Sequence, residues 1–131
     1  SALDDARIAA VGDLFTAGGA ALALGSMGGA AARVSRDATA FAHRDAEVML
    51  AAAFLLPRPA PAGLLDQALN RWSPVAALGS GAYVGFLGSA DPADVAAAYP
   101  PDTYRRLAAV KRRYDPGNVF RCTHNILPGR Q

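Results

Sequence analysis

The stretch Thr103–Arg121, TYRRLAAVKRRYDPGNVFR, carries the clearest structural signals in this sequence of 131 residues. Three of its apolar residues are spaced by three and four positions and therefore share one face of a helix: Leu107, Val110 and Tyr114. Pro116 disfavours helical geometry in Asp115, the residue ahead of it, and the glycine and asparagine after it are typical of a turn. The sequence therefore predicts a helix over Thr103–Tyr114, a turn, and an extended tail from Val119 to the end of the chain.

Upstream of this stretch, segments with the apolar spacing of a helix are followed by segments that are typical of strands. We predict three further helices, at Leu3–Phe15, Leu64–Trp72 and Pro92–Tyr99. We also predict three strands, one within Ala20–Val34, a buried central one at Ala46–Leu56, and one at Ser80–Leu87. This order predicts the α+β class, with an antiparallel or mixed β-sheet and helices packed on one side. No linker divides the chain, so residues 1–131 are expected to form a single domain with 100–131 as its closing segment.

The composition excludes several classes of protein. Apolar residues make up 52% of the chain and charged residues 18%, unlike a disordered or fibrous protein. Cys122 has no cysteine partner, which excludes an intrachain disulfide and a Cys/His zinc motif, so no metal is expected. The longest apolar run, Val48–Leu56, is too short at nine residues to cross a membrane. We expect a cytoplasmic protein, and the preference for arginine over lysine favours a bacterial source.

Basic charge is concentrated at the C-terminus. Residues 104–131 carry seven basic groups and one acidic group, a net charge of +6, whereas the first 103 residues carry −4. A basic helix of this kind can bind phosphates, so a nucleic-acid module is one alternative. The arginines are not interleaved with aromatic residues, and no known nucleic-acid motif accompanies them. A solvated helix face is therefore favoured over a nucleic-acid partner.

A longer pattern extends through the C-terminal segment. Residues 104–126 read YxxLxxVKxxYDPxNxFRxxxNI, which resembles the closing signature of the berberine-bridge-enzyme-like FAD-linked oxidases. Two upstream segments, Gly28–Arg44 and Ala82–Phe86, fit the same family in the same order. The resemblance therefore spans most of the chain.

The resemblance implies that the chain is part of a substrate domain whose antiparallel sheet covers the isoalloxazine ring of FAD. It has no counterpart of the family's FAD-binding domain, and Gly25–Gly29 does not match the GxGxxG phosphate-binding pattern. FAD is therefore expected in the parent or assembled enzyme, completed by an FAD-binding domain or a partner chain. The implied activity is oxidation of an organic small molecule by hydride transfer to flavin. Whether this chain alone is an enzyme stays open.

Tyr83 lies where the family commonly has a Tyr-x-Asn motif that faces flavin and substrate. The resemblance implies that its phenol has a catalytic and a substrate-binding role. The alternative is a half-buried strand tyrosine that packs its ring and exposes its hydroxyl. Gly85 replaces the family's asparagine, which removes an amide from the motif.

Two other candidates come from the same resemblance. Asn125 occupies the place of the family's Gln-Ser-Ile or Gln-Asn-Ile, where its amide would contact FAD; the alternative is a capping amide in the tail. Arg44 lies in a loop before the predicted central strand and is the candidate for binding a substrate carboxylate or phosphate. Its alternative is an ion pair with Asp37, Asp45 or Glu47.

The residues around the last turn are expected to be structural. Asp115, Asn118 and Arg121 would fix the turn after the final helix. His124 replaces a glutamine of the family and is expected to be a lone surface histidine.

A second function stays open beside the oxidase. The missing FAD-binding domain and Gly85 favour a stand-alone, non-catalytic module derived from the family. A sheet that normally packs on another domain exposes an apolar face when alone. A partner chain or self-association is therefore expected in either case.

Overall fold

The computed structural model describes residues 4–129. Its elements follow the order α1 (Asp5–Thr16), β1 (Ala20–Ser26), α2 (Gly29–Ala32), β2 (Val48–Phe54), α3 (Leu64–Ala76), a 3₁₀ helix (Val84–Phe86), α4 (Pro92–Ala98) and α5 (Pro101–Tyr114). The predicted α+β class is confirmed. The predicted start of the first helix at Leu3 and the last two residues of the predicted tail lie outside the described residues.

The described residues form two compact units. The first unit comprises residues 4–28 and 46–80, and the second comprises 29–45 and 81–129. The first unit is built on β1 and β2, which pair antiparallel from Ala20 opposite Phe54 to Ser26 opposite Val48. Helix α1 packs against both β1 and α3. The core of this unit is small, with Leu14, Ala68 and Val75 buried.

Helix boundaries in the first unit depend on local chemistry. The Asp4 carboxylate accepts a hydrogen bond from the Arg7 backbone N–H at 2.9 Å and caps the start of α1. Helix α3 continues to Ala76, past the predicted end at Trp72, although Pro74 lies inside it. Pro74 has no N–H to donate to the carbonyl of Asn70, and the Ser73 hydroxyl donates to that carbonyl at 3.4 Å. The hydroxyl thus partly replaces the missing backbone bond.

The second unit is held by helices α4 and α5 and by the loops attached to them. Its buried residues are Ala42, Val95, Ala98, Thr103 and Ala108. Asp91 and Pro92 occupy the N-cap and first helical position of α4, as the sequence predicts. The tail returns along α5, where the Gly129 N–H donates to the carbonyl of Ala108 at 3.0 Å. The predicted extended tail is therefore anchored to the final helix.

One predicted strand is absent, and another is present but not central. Ser80–Leu87 is not a strand but an irregular segment that contains the 3₁₀ helix. No strand pairs with it within residues 4–129; its Phe86 N–H donates to the Tyr83 carbonyl and its Ala82 N–H to the Ala97 carbonyl, each at 3.0 Å. The predicted buried central strand is β2, but in the described sheet it pairs only with β1 and is mostly half-buried. A continuous apolar run therefore does not by itself show that a strand is central.

Large apolar side chains remain exposed in both units. In the first unit they include Phe15, Leu24 and Leu55, and in the second Phe86 and Phe120. Leu55 and Phe120 are 85% and 81% exposed. Clustered exposed apolar residues mark surfaces that another protein surface covers.

Candidate functional site

The segment that carries Tyr83 is shaped by its glycines and by the 3₁₀ turn. Tyr83 precedes the 3₁₀ helix with extended backbone angles, φ −98° and ψ 119°. In a 3₁₀ helix residues three apart lie above one another, so Tyr83 and Phe86 share a side. Their ring centroids are 5.4 Å apart with an interplanar angle of 72°. Tyr83 is thus 46% exposed at the edge of an aromatic pair, instead of in the middle of a strand.

This pair belongs to a larger group that we call the aromatic cluster, formed by Phe41, His43, Tyr83 and Phe86. The Phe41 ring meets the Tyr83 ring edge to face at 6.0 Å and the His43 ring at 6.1 Å. Edge-to-face contacts at these distances are favourable because the positive edge of one ring faces the negative face of the other. The cluster joins the loop of residues 29–45 to the segment that begins after residue 80.

His43 is fixed by backbone contacts on two sides. Its Nε2 lies 3.0 Å from the carbonyl oxygen of Ala97, which also accepts from the Ala82 N–H at 3.0 Å. A carbonyl only accepts, so Nε2 carries the proton. Ala97 lies in the last turn of α4, whose carbonyls lack partners within the helix, and the imidazole satisfies one of them. The ring also lies over Gly81, where any Cβ would overlap it.

Arg44 is next to the cluster, but its partners differ from the predicted acids. Its guanidinium donates to the Ala31 carbonyl at 3.1 Å and to the Thr39 hydroxyl at 2.7 Å. It also lies 5.5 Å from the centroid of the Phe41 ring, a cation–π contact. Its Nε is buried without a hydrogen-bond partner in the described residues. The ion pair with Asp45 is made by Arg36 instead, at 3.5 Å.

The structure therefore brings two of the three predicted site residues together. Tyr83 and Arg44 both contact Phe41, one through its ring and the other through its guanidinium. Asn125 lies in the tail and makes no described contact with the cluster. Phe41, which connects them, was not identified from the sequence. An aromatic residue two positions before the His43-Arg44 pair is a weak signal that does not single out one ring.

The side chain of Asn125 meets one requirement of a flavin site. Its Oδ1 is buried and has no hydrogen-bond partner in residues 4–129. An amide oxygen of this kind can accept from the imide N–H of an isoalloxazine ring. The oxygen is enclosed by this chain, however, so a flavin reaches it only after the side chain turns. The sequence has no GxGxxG phosphate-binding pattern, and the described residues show no site for a whole dinucleotide.

The turn after α5 is built around Asp115. Its carboxylate accepts from the backbone N–H of Val119 at 2.8 Å, from that of Phe120 at 3.1 Å, and from Lys111 Nζ at 2.5 Å. Lys111 Nζ also donates to the Phe120 carbonyl at 2.5 Å. The hydrogen bond from Lys111, together with the weaker effect of those from the backbone, lowers the pKa of Asp115 below its usual 3.8. The expected structural role of Asp115 in this turn is therefore confirmed.

The same bonds fix a side chain that faces outward. The backbone of Phe120 is held at both its N–H and its carbonyl, yet its ring is 81% exposed. Val119, next to it in the chain, and Tyr114, at the end of α5, are each 73% exposed. An exposed ring on a fixed backbone loses little conformational entropy when it binds, which suits a contact with another surface.

The tail after this turn is anchored by side chains that bond to backbone. The Tyr104 hydroxyl accepts from the Leu127 N–H at 3.1 Å. His124 is half-buried, and its Nε2 donates to the carbonyl of Ser89 at 2.7 Å, so it is not the lone surface histidine that the sequence predicts. Asn118 adopts the left-handed region with φ 51°, as the turn prediction requires.

The other parts of the described chain contain no comparable candidate for a binding site. A cavity of about 150 Å³ in the first unit is lined mainly by apolar residues at and after the end of β2 and by residues of α3, with Arg71 beside Phe54. Ligand pockets usually measure about 300–1,000 Å³, so it is too small for a drug-sized substrate. Residues 4–129 contain no group of three His, Cys, Asp or Glu side chains placed to hold a metal ion. Within the same range no helix has the length and apolar character that a bilayer crossing requires.

Comparison with known proteins identifies the C-terminal segment. Residues 82–127 match the family model for berberine and berberine-like proteins. The chain is also 62% identical over 34 residues to (R)-6-hydroxynicotine oxidase of Paenarthrobacter nicotinovorans. Residues 82–127 are therefore similar to the berberine-like proteins, and the resemblance inferred from the closing signature is confirmed for this segment.

Both matches cover a limited part of the proteins compared. The 34 matched residues are 26% of this chain and 7% of that oxidase, so the chain aligns with only a small part of its relative. The family match includes Tyr83 and Asn125 but neither Phe41, His43 nor Arg44.

Proposed function

We propose that this chain forms the C-terminal part of the substrate domain of an FAD-dependent oxidoreductase that oxidises an organic small molecule by hydride transfer, with oxygen as the final acceptor. The observation that carries the proposal is the family match over residues 82–127, which contains Tyr83 and Asn125. The relative is named as an oxidase, which supports the choice of oxygen. When bound, the flavin would accept the hydride and its two electrons from the substrate.

In this proposal Tyr83 faces the substrate. Its ring is held by Phe41 and Phe86, while almost half of the residue stays accessible. The phenolic hydroxyl can donate and accept, so it can orient a polar group of the substrate beside the reacting carbon. The exposed ring of Phe86 adds an apolar surface next to it, which favours a substrate with a planar or apolar part.

Asn125 and Arg44 have supporting roles in the same proposal. Asn125 would contact the flavin edge through its unpaired amide oxygen after a change of rotamer. Two of the four N–H groups on the terminal nitrogens of Arg44 are used by Ala31 and Thr39. The remaining two are the groups through which Arg44 would bind a substrate carboxylate.

A partner surface is part of the proposal. The exposed side chains Tyr114, Val119 and Phe120 lie beside Arg113 and Arg121, and the neighbouring Asp115 is neutralised by Lys111. This surface is suited to an apolar region rimmed by carboxylates on the FAD-binding domain or partner chain. Self-association through the same exposed residues is the second form that we propose.

The contacts of α5 support this over a nucleic-acid interface. Arg105 pairs with Asp102, Arg106 donates to the Asp37 carbonyl, and Lys111 is bound to Asp115. Groups that already have partners must give them up to bind phosphates.

The first test is made on the protein from its natural source. We expect intact mass and the visible spectrum to show bound flavin and a species larger than 13.5 kDa, or a partner chain. A colourless, folded and self-associating chain of 13.5 kDa would contradict the oxidase and support the stand-alone module. That second candidate is favoured by the many exposed apolar residues.

The second test addresses Tyr83 in the flavin-containing enzyme. Loss of one orienting hydrogen bond in Tyr83→Phe is expected to lower kcat/KM about tenfold, or about 1.4 kcal/mol. Tyr99→Phe, at the C-cap of α4 and outside both the aromatic cluster and the proposed partner surface, is the matched control and should leave turnover unchanged. Unchanged turnover in Tyr83→Phe would remove Tyr83 from the site.

A further inference from the structure

The backbone of Gly85 lies beneath the ring of Tyr83. A Cβ built on Gly85 would lie 2.8 Å from Cε1 and 3.2 Å from Cζ of Tyr83. Non-bonded carbon atoms are at their optimal separation at about 3.5–4.0 Å. The tyrosine ring therefore occupies the space that any side chain at position 85 would need.

Two neighbouring rings hold Tyr83 in this place. The centroid of the Phe41 ring lies 6.0 Å from that of Tyr83 and the centroid of Phe86 lies 5.4 Å from it, and both rings are nearly perpendicular to the Tyr83 ring. The 3₁₀ turn fixes Phe86 three residues after Tyr83, through the bond from Phe86 N–H to the Tyr83 carbonyl. The ring can lie between its two neighbours and across the backbone only because residue 85 has no side chain.

We propose that Gly85 is a positioning residue: the missing side chain sets the orientation of Tyr83 between Phe41 and Phe86, and so determines which edge of the phenol is presented outward. This inference rests on the proposed function in one respect only, that the outward edge of Tyr83 meets substrate. The orientation of the ring itself is a property of the chain without any ligand.

A substitution at Gly85 should turn the ring without unfolding the chain. Tyr83 is 46% exposed, so its ring has solvent into which it can rotate. Gly85 does not have a positive φ, so alanine fits its backbone. Gly88 is the matched control, because it lies in the same segment, also lacks a positive φ, and has no atom within 4 Å of a built Cβ.

The test is an NMR measurement on the full 131-residue chain. In the unmodified chain we expect nuclear Overhauser contacts from the Tyr83 ring protons to Phe41 and Phe86, and ring-current shifts of those protons. Gly85→Ala should lose both, and Gly88→Ala should keep both. Retention of the contacts in Gly85→Ala would overturn the proposal, as would their loss in Gly88→Ala.

A double-mutant cycle keeps the proposal testable if Gly85→Ala folds poorly. Without the tyrosine ring the added methyl group meets no obstacle, so Gly85→Ala should lower Tm in the unmodified chain but not in Tyr83→Ala. Equal shifts in both backgrounds would overturn the inference. The NMR and Tm measurements need neither flavin nor substrate. They can therefore contradict this inference without contradicting the proposed function, which is tested separately by the turnover of Tyr83→Phe.

Discussion

Each of the two units of this chain is stabilised internally in a different way. The first unit depends on regular structure, with a seven-residue antiparallel ladder between β1 and β2 and helix α1 packed on β1 and α3. The second unit has no strand in the described residues, and its loops are attached by side chains that bond to backbone carbonyls. The family match and the site candidates fall largely in the second unit. The part of the chain that carries the proposed function is thus the part with the least regular structure.

This difference has a physical reason. A ladder satisfies its polar groups internally, so its side chains are free to vary as long as they stay apolar on the buried face. Loops without a ladder must bond to particular side chains, because an unpaired buried backbone group is costly. In the second unit particular side chains such as His43, Arg106 and His124 have that task. Removal of one side chain should therefore release the loop that it bonds in the second unit, whereas in the first unit it should weaken the packing of the core.

The largest expected effect is on packing in the first unit. Leu14 is 4% exposed, so Leu14→Ala should leave a cavity and cost about 2–5 kcal/mol of unfolding free energy. Phe15→Ala, at the next position but 65% exposed, should change stability by about 0.5 kcal/mol or less. Urea unfolding measures both. Similar losses in the two variants would show that the unit is not held by its small core.

The next largest expected effect is a loss of stability in the second unit, at the contact between His43 and Gly81. Gly81→Ala places a methyl group inside the imidazole ring, so the ring must leave and the bond from Nε2 to Ala97 is lost. We expect a loss of about 1–3 kcal/mol, typical of overpacking. Gly88→Ala has open space and serves as the control. If both variants are equally stable, the bond from His43 contributes nothing measurable to this unit.

The stability of the second unit is expected to depend on pH through Asp115. Because the pKa of Asp115 is lowered in the folded chain, the unfolded chain takes up a proton first as the pH falls. The contribution of Asp115 to stability is therefore fully present above its usual pKa of 3.8, and it is lost as the pH falls through the lowered value. Asp115→Asn should flatten the loss of stability below about pH 4.

The measurement for Asp115 is thermal unfolding across that pH range. Asp102→Asn is the control, since Asp102 is exposed and pairs with the neighbouring Arg105 on the same helix. A wild-type slope that persists in Asp115→Asn would assign the acid sensitivity to other carboxylates.

The smallest effect concerns the tail. Tyr104→Phe removes the hydroxyl that accepts from the Leu127 N–H and should cost about 0.5–1.5 kcal/mol. Amide hydrogen exchange at Leu127 should quicken, while Tyr114→Phe should leave it unchanged. Unchanged exchange in Tyr104→Phe would mean that the tail is held by its other contacts, such as Gly129 on Ala108.

Much of the helical structure could be predicted from the sequence. Apolar spacing and Pro116 place α5, and Asp91-Pro92 places the start of α4. The strand predicted around Tyr83 failed because alternating apolar residues specify a strand only when a neighbouring strand is present to pair with it. Of the site candidates, Tyr83 and Arg44 could be named from their motifs, but Phe41 could not, because its contact with Tyr83 joins residues about forty positions apart.

The sequence by itself determined the α+β class, the position of most helices and the resemblance of the closing segment to the berberine-like proteins. These depend on local free energies, since helix periodicity, proline and capping residues act within a few positions. Only the tertiary structure decided that His43 lies over Gly81 and that Phe41 contacts the Tyr83 ring. Each of these contacts depends on the space and the hydrogen-bond partners left once the elements have packed, and neither quantity is set by neighbours in the chain.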